Sequence, residues 1–329
     1  MINIGIIGCG KQAAKHILSL RGNVENISLF DINQEAAIKL AKENDLNAVS
    51  SVKEIIENPN IHGVIIATPT LTHYELILDS LNAKKHVFCE KPLCENLEQA
   101  NILNDVSLRT GYFVQVGYVY RQVPAFKELH KLINLSEKPL GGVILANLKI
   151  GGRGDHNAWK HKKSLGGGAI NEMLVHMLDL VNWLFGDITD VNHCNTHLLR
   201  SKRIINGITI DADAEDFVSV AGFTRSGVYV TVQADLLTPA FSQSIEVQGE
   251  NGSFFGSIQA NRLSEFYLIN STNSYQAGKH QIVTNKQDLF HNQMNEFIVN
   301  IKQNKLNQSP GIKDSIQLVN ILQQVKDFD

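Results

Sequence analysis

A glycine-rich segment near the start of the chain has the residue types and spacing of a phosphate-binding loop. Residues 8–13 read Gly-Cys-Gly-Lys-Gln-Ala, which is the pattern G-x-G-x-x-A, and they follow the strand-like run Ile2–Ile7. Gly8 permits a tight turn, Gly10 lets the backbone approach a pyrophosphate, and Ala13 permits close packing of a helix on a sheet. At a first strand-to-helix turn this pattern predicts dinucleotide binding, because the N-terminus of a helix attracts negative charge.

An acidic residue stands where a dinucleotide-binding fold needs one. Asp31 follows the predicted strand Ile27–Phe30, about 20 residues beyond the loop, where a carboxylate accepts both ribose hydroxyls of NAD. Ile32 and Asn33 supply no cation for the 2′-phosphate of NADP, so we expect NAD, with NADP less favoured. The alternative is that Asp31 caps the helix that begins at Gln34.

The residues that follow the predicted strand Val64–Ala67 are also candidates for a ligand site. Thr68 and Pro69 come directly after it, at the carboxyl edge where ligands bind to open α/β sheets. His73 lies just inside the following helix. It is interpreted either as a cofactor contact or as an ordinary, partly exposed helix histidine.

A charged pair and a proline follow the predicted buried strand His86–Cys89. These residues are Glu90, Lys91 and Pro92. Charges directly after a buried strand are expected at the rim of a cleft, where Lys91 would project over a bound nicotinamide. On composition alone, an ordinary charged loop explains them equally well.

The predicted helix Ala169–Phe185 carries a polar stripe on an otherwise apolar segment. It follows three glycines at 166–168, which allow a backbone to approach a ligand closely. Glu172, His176 and Asp179 are spaced i, i+4 and i+7 and share one face. Histidine carries protons near neutral pH, so His176 is a candidate base for a hydroxyl proton, with Glu172 or Asp179 orienting its ring. The alternative is a core histidine paired with a neighbouring carboxylate.

Weaker candidates lie between these segments. Tyr118 and Arg121 lie at the predicted domain junction and either contact a substrate or pack. A glycine-rich loop then mixes an aromatic side chain with cations and acids, which suits a sugar, a phosphorylated sugar or a plain surface loop. The loop residues are Arg153, Asp155, His156, Trp159 and Lys163. No third ligand at metal spacing accompanies Asp155 and His156, so we expect no metal site.

The hydrophobic pattern changes between the two parts of the chain. The first third alternates apolar runs with amphipathic segments, which is typical of βαβ units and a buried parallel sheet. The second half favours an antiparallel or mixed sheet, closed by two helices near Lys286–Asn304 and Ile312–Phe328. The apolar runs of the first third are Ile2–Ile7, Ile27–Phe30, Val64–Ala67, His86–Cys89 and Phe113–Val116. The strand-like runs of the second half are Gly141–Lys149, Val191–Leu199, Asp216–Phe223, Val228–Leu236, Ser244–Gly249 and Leu263–Ile269.

Composition narrows the class of protein. The chain has 329 residues, 43% of them hydrophobic and 19% charged, with a net charge of −3, which is ordinary for a globular protein and argues against disorder. We expect no nucleic-acid surface, no membrane span and no secretory signal. The four cysteines, which match no zinc pattern, are expected to be reduced thiols in the cytoplasm.

Taken together, the motifs resemble the Gfo/Idh/MocA family of nicotinamide-dependent oxidoreductases. They occur in the family's order, and Glu-Lys-Pro after the predicted strand His86–Cys89 is the most specific of them. The matching elements are residues 8–13, Ala67-Thr68-Pro69, Lys85-His86-Val87 leading to Glu90-Lys91-Pro92, Val116-Gly117-Tyr118 with Arg121 and Pro124, and the glycines 166–168 leading to His176 and Asp179.

The resemblance implies an α/β architecture with two domains. These are a Rossmann domain with a doubly wound parallel sheet at 1–120, and an α/β domain with a large, open, mostly antiparallel sheet at 121–329, whose last helix is allowed to pack back on the first domain. The exposed face of such a sheet joins subunits in many members, which implies a homodimer or homotetramer. The resemblance also implies that Lys91 faces the reacting carbon and positions or polarises the substrate hydroxyl.

One motif departs from the family. Many members carry Asp-x-Gly-x-His on the second-domain helix, whereas this chain has Glu172 and Leu174 at the acid and glycine positions. The longer carboxylate and the filled glycine position indicate a narrower pocket, a changed substrate class, or a proton route through Lys91 and His176 alone.

The leading hypothesis is an NAD-dependent enzyme that moves a hydride to or from a secondary hydroxyl or ketone of a sugar, nucleotide sugar or polyol. The alternatives are a non-catalytic dinucleotide sensor and an enzyme that cleaves glycosides with transient oxidation by NAD. The expected catalytic residues are Lys91, His176 and Glu172. The expected cofactor contacts are Gly8, Cys9, Gly10, Lys11, Gln12, Asp31, Thr68, Pro69, His73, Glu90 and Lys91. The expected substrate contacts are Tyr118, Arg121, Trp159, Lys163 and Asp179.

Overall fold

Residue contacts divide the protein into two structural units. The computed structural model describes residues 2–153, 158–259, 262–283, 288–306 and 309–328. The first unit holds the described residues of 1–119 and 288–320, and the second holds those of 120–287 and 321–329. The sequence prediction assigned everything beyond residue 120 to the second domain and allowed only the last helix to return. The contacts instead group residues 288–320 with the first unit.

The first unit contains a six-stranded parallel sheet, as the alternating sequence pattern predicted. Its strands are β1 (Asn3–Ile7), β2 (Asn26–Phe30), β3 (Asn47–Ala48), β4 (Gly63–Ile66), β5 (His86–Cys89) and β6 (Val114–Val116). They are arranged in the order β3-β2-β1-β4-β5-β6, and their pairings are parallel. The strand order reverses at β1, so the loops after β1 and β4 flank the place where doubly wound sheets bind ligands.

Local signals set the ends of several helices. The helices are α1 (Lys11–Leu20), α2 (Gln34–Asn44), α3 (Lys53–Ile56), α4 (His73–Asn82), α5 (Leu97–Thr110), α6 (Pro124–Asn134), α7 (Val175–Phe185), α8 (Leu289–Gln303) and α9 (Ile312–Lys326). The Asn33 side chain accepts hydrogen bonds at the start of α2, and Asn96 does so at the start of α5. Gly111, with φ of 75°, ends α5. Within the described ranges, none of these helices is long and apolar enough to cross a membrane.

The core of the first unit joins the sheet to α1 and α8. Ile4 and Ile6 of β1 and Phe88 of β5 are fully buried, and they share one apolar cluster with Ile17 of α1 and Phe297 of α8. The rings of Phe88 and Phe297 lie 5.7 Å apart in an edge-to-face arrangement. The helix near the C-terminus therefore completes the N-terminal core, which sequence periodicity does not reveal.

The second unit contains an eight-stranded, mostly antiparallel sheet and a separate two-stranded hairpin. Its strands are β7 (Val143–Gly151), β8 (Ile188–His197), β9 (Lys202–Ile205), β10 (Ile208–Asp211), β11 (Phe217–Thr224), β12 (Tyr229–Asp235), β13 (Ser242–Gly249), β14 (Gly252–Gly256), β15 (Ser264–Leu268) and β16 (Gly278–Ile282). The sheet order is β16-β15-β14-β13-β7-β12-β11-β8, while β9 and β10 form a separate hairpin. The pair β7 and β12 is parallel, and the other pairings of the sheet are antiparallel.

Sequence reasoning missed four strands of this unit and the helix α6. The missed strands are β9, β10, β14 and β16. The hairpin of β9 and β10 turns at Asn206 and Gly207, both with positive φ, and an Asn-Gly pair is a strong hairpin signal. β14 begins at Gly252, and glycine is more typical of turns than of strands. The four missed strands are only four or five residues long, so each shows little of the alternating hydrophobicity by which a strand is recognised.

The helix that follows the three glycines begins with a π-helical turn, Ile170–Leu174, before α7. Glu215 holds this start, since its Oε1 accepts from the Ile170 N–H at 3.0 Å and its backbone O accepts from the Ala169 N–H at 2.9 Å. A Cβ added to Gly168 would overlap the Glu215 carboxylate. The close approach that the glycines permit is therefore, at Gly168, to the chain's own carboxylate.

Replacing Phe297 with Ala is expected to destabilise the first unit by about 3–5 kcal/mol, since it leaves a cavity between α8 and the sheet. The measurement is urea unfolding of the whole chain followed by fluorescence. Val299, on the same helix but 38% exposed, is the matched control, and its replacement by Ala is expected to cost about 0.5 kcal/mol or less. Equal effects of the two changes would contradict the placement of α8 in this core.

Replacing Glu215 with Gln is expected to remove one source of pH-dependent destabilisation. Burial raises the pKa of Glu215 above its ordinary 4.5, so the folded state binds a proton more tightly than the unfolded state. The wild type therefore loses stability, relative to Glu215→Gln, as the pH rises from 4.5 through the raised pKa. Urea unfolding at a series of pH values measures this difference. Exposed Glu43→Gln is the control, and a difference that does not change with pH would refute the expectation.

Candidate active site

The glycine loop and the start of α1 form an open cradle. Gly8 has φ of 94°, and a Cβ there would lie 2.7 Å from the Ala67 carbonyl oxygen, so only glycine fits. Above Gly10, a Cβ would meet no atom within 4 Å. Gly10 directly precedes α1, whose N-terminus has no side-chain cap, and the buried Gln12 Oε1 has no hydrogen-bond partner among the described residues.

Asp31 links this loop to the start of α2. Its Oδ2 accepts from the Cys9 N–H at 2.7 Å, and its Oδ1 accepts from the Asn33 N–H at 2.8 Å. Burial and the negative charge of Asp31 raise the pKa of the Cys9 thiol to about 12, so that thiol stays neutral. The helix cap that sequence reasoning considered is made by Asn33, which leaves Asp31 at the carboxyl end of β2.

These features fit a dinucleotide. The uncapped N-terminus of α1 and the open space at Gly10 suit a pyrophosphate, which needs backbone N–H donors and close approach. The Asp31 carboxylate suits ribose hydroxyls, which are donors. Gln12 adds a buried amide oxygen that is ready to accept a hydrogen bond.

The loop after β4 is tied to the turn after β5 through His73. Its Nε2 lies 3.0 Å from the Thr68 carbonyl oxygen, and its Nδ1 lies 2.8 Å from the Pro92 carbonyl oxygen. Burial lowers the pKa of His73, although both carbonyl oxygens oppose this shift. The side chain is 1% exposed, so the interpretation of an exposed helix histidine is wrong. Pro69 lies exposed beside Thr68, and cofactor contacts by these residues stay a prediction.

Glu90, Lys91 and Pro92 lie at the carboxyl end of β5, at the same edge of the sheet as the glycine loop. The Glu90 N–H donates to the Ile66 carbonyl oxygen at 2.9 Å, which continues the sheet, and the Lys91–Pro92 peptide bond is cis. Lys91 is partly exposed, whereas Glu90 and Pro92 are buried.

Glu90 has a partner that sequence reasoning did not identify. His16 of α1 donates from Nε2 to Glu90 Oε1 at 2.7 Å, and both residues are buried. Burial raises the pKa of Glu90, but the hydrogen bond and charge of His16, with the charge of Lys91, outweigh it and lower the pKa. In the sequence, His16 lies on the face of α1 that is expected to be buried, so it is taken for an ordinary core residue.

In the second unit, the polar stripe of the predicted helix is divided among different partners. Glu172, in the π-helical turn, forms an ion pair with Lys160. His176 of α7 lies with its ring 4.7 Å from the ring of Tyr120, and burial raises the pKa of Tyr120. Tyr120 and Lys160 were not among the predicted site residues. Both residues lie outside this helix, and nothing in their sequence positions indicates that they contact it.

Asp179 and Arg121 form a buried ion pair. The Arg121 Nη2 donates to Asp179 Oδ1 at 2.6 Å, and Nε lies 3.0 Å from Oδ2. Their side chains are 4% and 2% exposed. Arg121 also lies 5.9 Å from the centre of the Trp183 ring, against which His130 stacks. The pairing fixes α7 to the segment before α6, and contact of either residue with a substrate stays a prediction.

The remaining candidates occupy different places. The hydroxyl of Tyr118 lies 3.1 Å from Ser315 Oγ in the first unit. Trp159 is 39% exposed, and the Lys163 N–H donates to Asp213 Oδ1. Asp155 and His156 lie outside the described residues. Within the described ranges, no cluster of three or more His, Cys, Asp or Glu residues is arranged to hold a metal ion.

A Cβ added to Gly167 would come within 2.5 Å of the carbonyl oxygens of Trp159 and Lys160. Together with Gly168, this glycine packs against the chain itself. The predicted reason for the glycine run, approach to a ligand, is therefore replaced at these two positions by internal packing.

Two family models match the chain. Residues 2–118 match the model described as an oxidoreductase family with an NAD-binding Rossmann fold. Residues 126–255 match the C-terminal domain of the Gfo/Idh/MocA family. The matches therefore follow the two parts of the chain that the sequence pattern distinguished.

Curated relatives carry the names of sugar and polyol dehydrogenases. Glucose-6-phosphate 3-dehydrogenase of Bacillus subtilis is 30% identical over 248 residues, which cover 70% of this chain and 67% of that protein. Myo-inositol 2-dehydrogenase of Thermotoga maritima is 25% identical over 258 residues, which cover 77% and 75% of the two chains. The matches to three other relatives span 52%, 62% and 53% of those proteins.

The fold also matches solved structures. A levoglucosan dehydrogenase in complex with NADH and L-sorbose superposes with a TM-score of 0.88 at 20% identity, covering 99% of this chain and 96% of that chain. The fold, the family models and the relatives agree. The chain belongs to the Gfo/Idh/MocA family of oxidoreductases, with an NAD-binding Rossmann domain followed by the family's C-terminal domain.

Proposed function

We propose that this protein is an NAD-dependent dehydrogenase that transfers a hydride between nicotinamide and a secondary hydroxyl or ketone of a sugar, nucleotide sugar or polyol. The family match over both domains carries the proposal. It is supported by relatives named for glucose 6-phosphate and myo-inositol and by Lys91 at the sheet edge that also presents the glycine loop.

Residues of the first unit are proposed to hold the cofactor. The start of α1 binds the pyrophosphate through Gly8, Cys9, Gly10, Lys11 and Gln12. Asp31 binds the ribose hydroxyls and disfavours a 2′-phosphate through charge repulsion, so NAD is preferred over NADP. Thr68, Pro69, His73, Glu90 and Lys91 complete the nicotinamide side of the site. When bound, NAD supplies the acceptor for the hydride.

Lys91 and His176 are proposed to handle the hydroxyl proton. The Lys91 ammonium stabilises the developing alkoxide, which lowers the pKa of the hydroxyl, and the His176 imidazole takes the proton. Glu172 contributes a carboxylate one turn before His176, which stabilises the imidazolium, and its charge is shared with Lys160. Tyr118, Arg121, Trp159, Lys163 and Asp179 are proposed to shape the substrate site.

We also propose that subunits assemble as a homodimer or homotetramer through the exposed face of the eight-stranded sheet. That face carries partly exposed aromatic side chains, among them Phe223 and Tyr267, which are 43% and 49% exposed. A cytoplasmic location is supported by the four cysteines, since Cys9, Cys89, Cys94 and Cys194 are all free thiols.

Replacement of Lys91 by Ala is expected to lower turnover by about 10²–10⁴-fold. It should leave NADH affinity nearly unchanged, because the proposed contacts to the pyrophosphate and the ribose do not include Lys91. The measurement is NADH formation with a panel of glucose, glucose 6-phosphate, myo-inositol and nucleotide sugars, beside NADH titration by fluorescence. Lys39→Ala, an exposed change on α2, is the control.

His176→Asn is expected to give a loss of similar size. If the two residues serve one proton transfer, the double variant will lose less than the product of the two single losses.

Full turnover by Lys91→Ala would disprove the mechanism. A free sugar released without net NADH would instead identify the glycoside-cleaving alternative, and NADH binding without turnover of any substrate would favour a dinucleotide sensor.

Asp31→Ala is expected to weaken NADH binding by about 1.5–3 kcal/mol, because a charge-assisted hydrogen bond is lost. Its affinity for NADPH should fall less, or rise, because the carboxylate no longer repels the 2′-phosphate. Fluorescence titrations with both nucleotides measure the two affinities. Exposed Asp79→Ala on α4 serves as the control, and unchanged NADH affinity would remove Asp31 from the ribose site.

A further inference from the structure

Two buried histidines from different helices contact the turn that carries Lys91. His16 of α1 donates to the side chain of Glu90 at 2.7 Å. His73 of α4 contacts the carbonyl oxygen of Pro92 at 2.8 Å. The two contacts fall on the residues immediately before and after Lys91.

Core packing does not explain His16. Its side chain is completely buried, and the rings of Phe88 and Phe290 lie 5.2 Å and 5.9 Å away. The buried Nδ1 has no hydrogen-bond partner among the described residues, so this imidazole directs its polar contact to Glu90. Burying a polar ring costs free energy unless its hydrogen bonds are made, and an apolar residue would fill the same space without that cost.

His73 faces two acceptors. A neutral imidazole has one N–H to donate, yet both ring nitrogens lie within 3.0 Å of carbonyl oxygens, those of Thr68 and Pro92. The shorter contact, through Nδ1, is the one to Pro92. His73 therefore connects the loop after β4 to the turn after β5.

The backbone of the turn is anchored to the sheet at Glu90. The Glu90 N–H donates to the Ile66 carbonyl oxygen at 2.9 Å, and the Glu90 carboxylate lies close to Gly117, where an added Cβ would be 3.1 Å from Oε2. Lys91 is partly exposed between these buried neighbours. A long flexible side chain acts precisely only when the backbone that bears it is held.

We propose that His16 and His73 are positioning residues that hold the Glu90-Lys91-Pro92 turn so that the Lys91 amine meets the reacting hydroxyl. His16 does so through the Glu90 side chain and His73 through the Pro92 carbonyl. The proposal rests on the catalytic role proposed above for Lys91.

Crossed amide substitutions test the two contacts. The amide nitrogen of Gln occupies nearly the place of a histidine Nε2, and that of Asn nearly the place of Nδ1. His16 uses Nε2 toward Glu90, so His16→Gln should retain function and His16→Asn should not. His73 uses Nδ1 toward Pro92, so the order reverses, and His73→Asn should retain function better than His73→Gln.

His16→Leu and His73→Leu remove the polar contact completely. Substitutions of the buried His86 of β5 by Gln and Asn are the matched controls. The first readout is acetylation of the Lys91 amine by an N-hydroxysuccinimide ester in cofactor-free protein, followed by mass spectrometry with exposed Lys39 as the reference. The second is kcat with the panel substrate that turns over fastest, beside NADH affinity and thermal melting.

We expect faster Lys91 acetylation and a kcat lowered by up to about 100-fold in the Leu variants, with melting temperatures within the range of the His86 controls. NADH affinity should stay within that range in His16→Leu, because His16 is not among the proposed cofactor contacts. The matching amide should recover both readouts at each position. If a Leu variant does not fold, the order of Gln and Asn at the two positions still decides.

The proposal would be overturned if both Leu variants showed the acetylation rate and kcat of the wild type while Lys91→Ala was inactive. The proposed function would still stand in that case. Equal behaviour of Gln and Asn at both positions would also overturn it, since a merely structural role does not distinguish the two nitrogens. An active Lys91→Ala would instead remove the proposed function, and acetylation would still report whether the histidines hold the turn.

Discussion

Parallel pairing of the six strands in the first unit is the constraint from which the candidate site follows. Strands that run in one direction need crossover connections, and the helices of those connections cover both faces of the sheet. All carboxyl ends then lie at one edge. The loops after β1, β2, β4 and β5 meet there, and they carry the glycine run, Asp31, Thr68 and Glu90-Lys91-Pro92.

Such an edge concentrates polar groups beside an apolar core, and each buried one needs a partner. The Asp31 carboxylate is satisfied by backbone N–H groups of Cys9 and Asn33. The Glu90 carboxylate is satisfied by His16, whose helix begins at the glycine loop. The hydrogen bonds that make burial tolerable also couple neighbouring loops, so the nucleotide cradle and the turn with Lys91 share one framework.

In the second unit, the buried polar groups that need partners lie on and around a helix instead of at a sheet edge. The π-helical turn begins under Glu215, and glycine is required there because a Cβ would overlap that carboxylate. Beyond it, α7 buries an acid, Asp179, against Arg121. Separating a buried ion pair leaves a buried charge without a partner, which is strongly destabilising, so this pair favours the observed packing of α7 against the segment that carries Arg121.

The sequence by itself determined the fold class, the parallel order of alternating elements, and the positions of the glycine loop, Asp31, Lys91 and His176. These follow from local signals: hydrophobic period, turn chemistry and residues at the ends of strands. Local signals were enough because each motif is contiguous and is placed by the element directly before it.

Only the tertiary structure decided the partners. His16 reads as a core residue in the pattern of α1, yet it contacts Glu90, 74 positions away. Asp179 reads as part of a catalytic stripe, yet it pairs with Arg121, 58 positions away. The helix α8 lies late in the chain but completes the first core. Side-chain pairing between distant segments depends on the packed geometry of several elements at once, which periodicity within one segment does not encode.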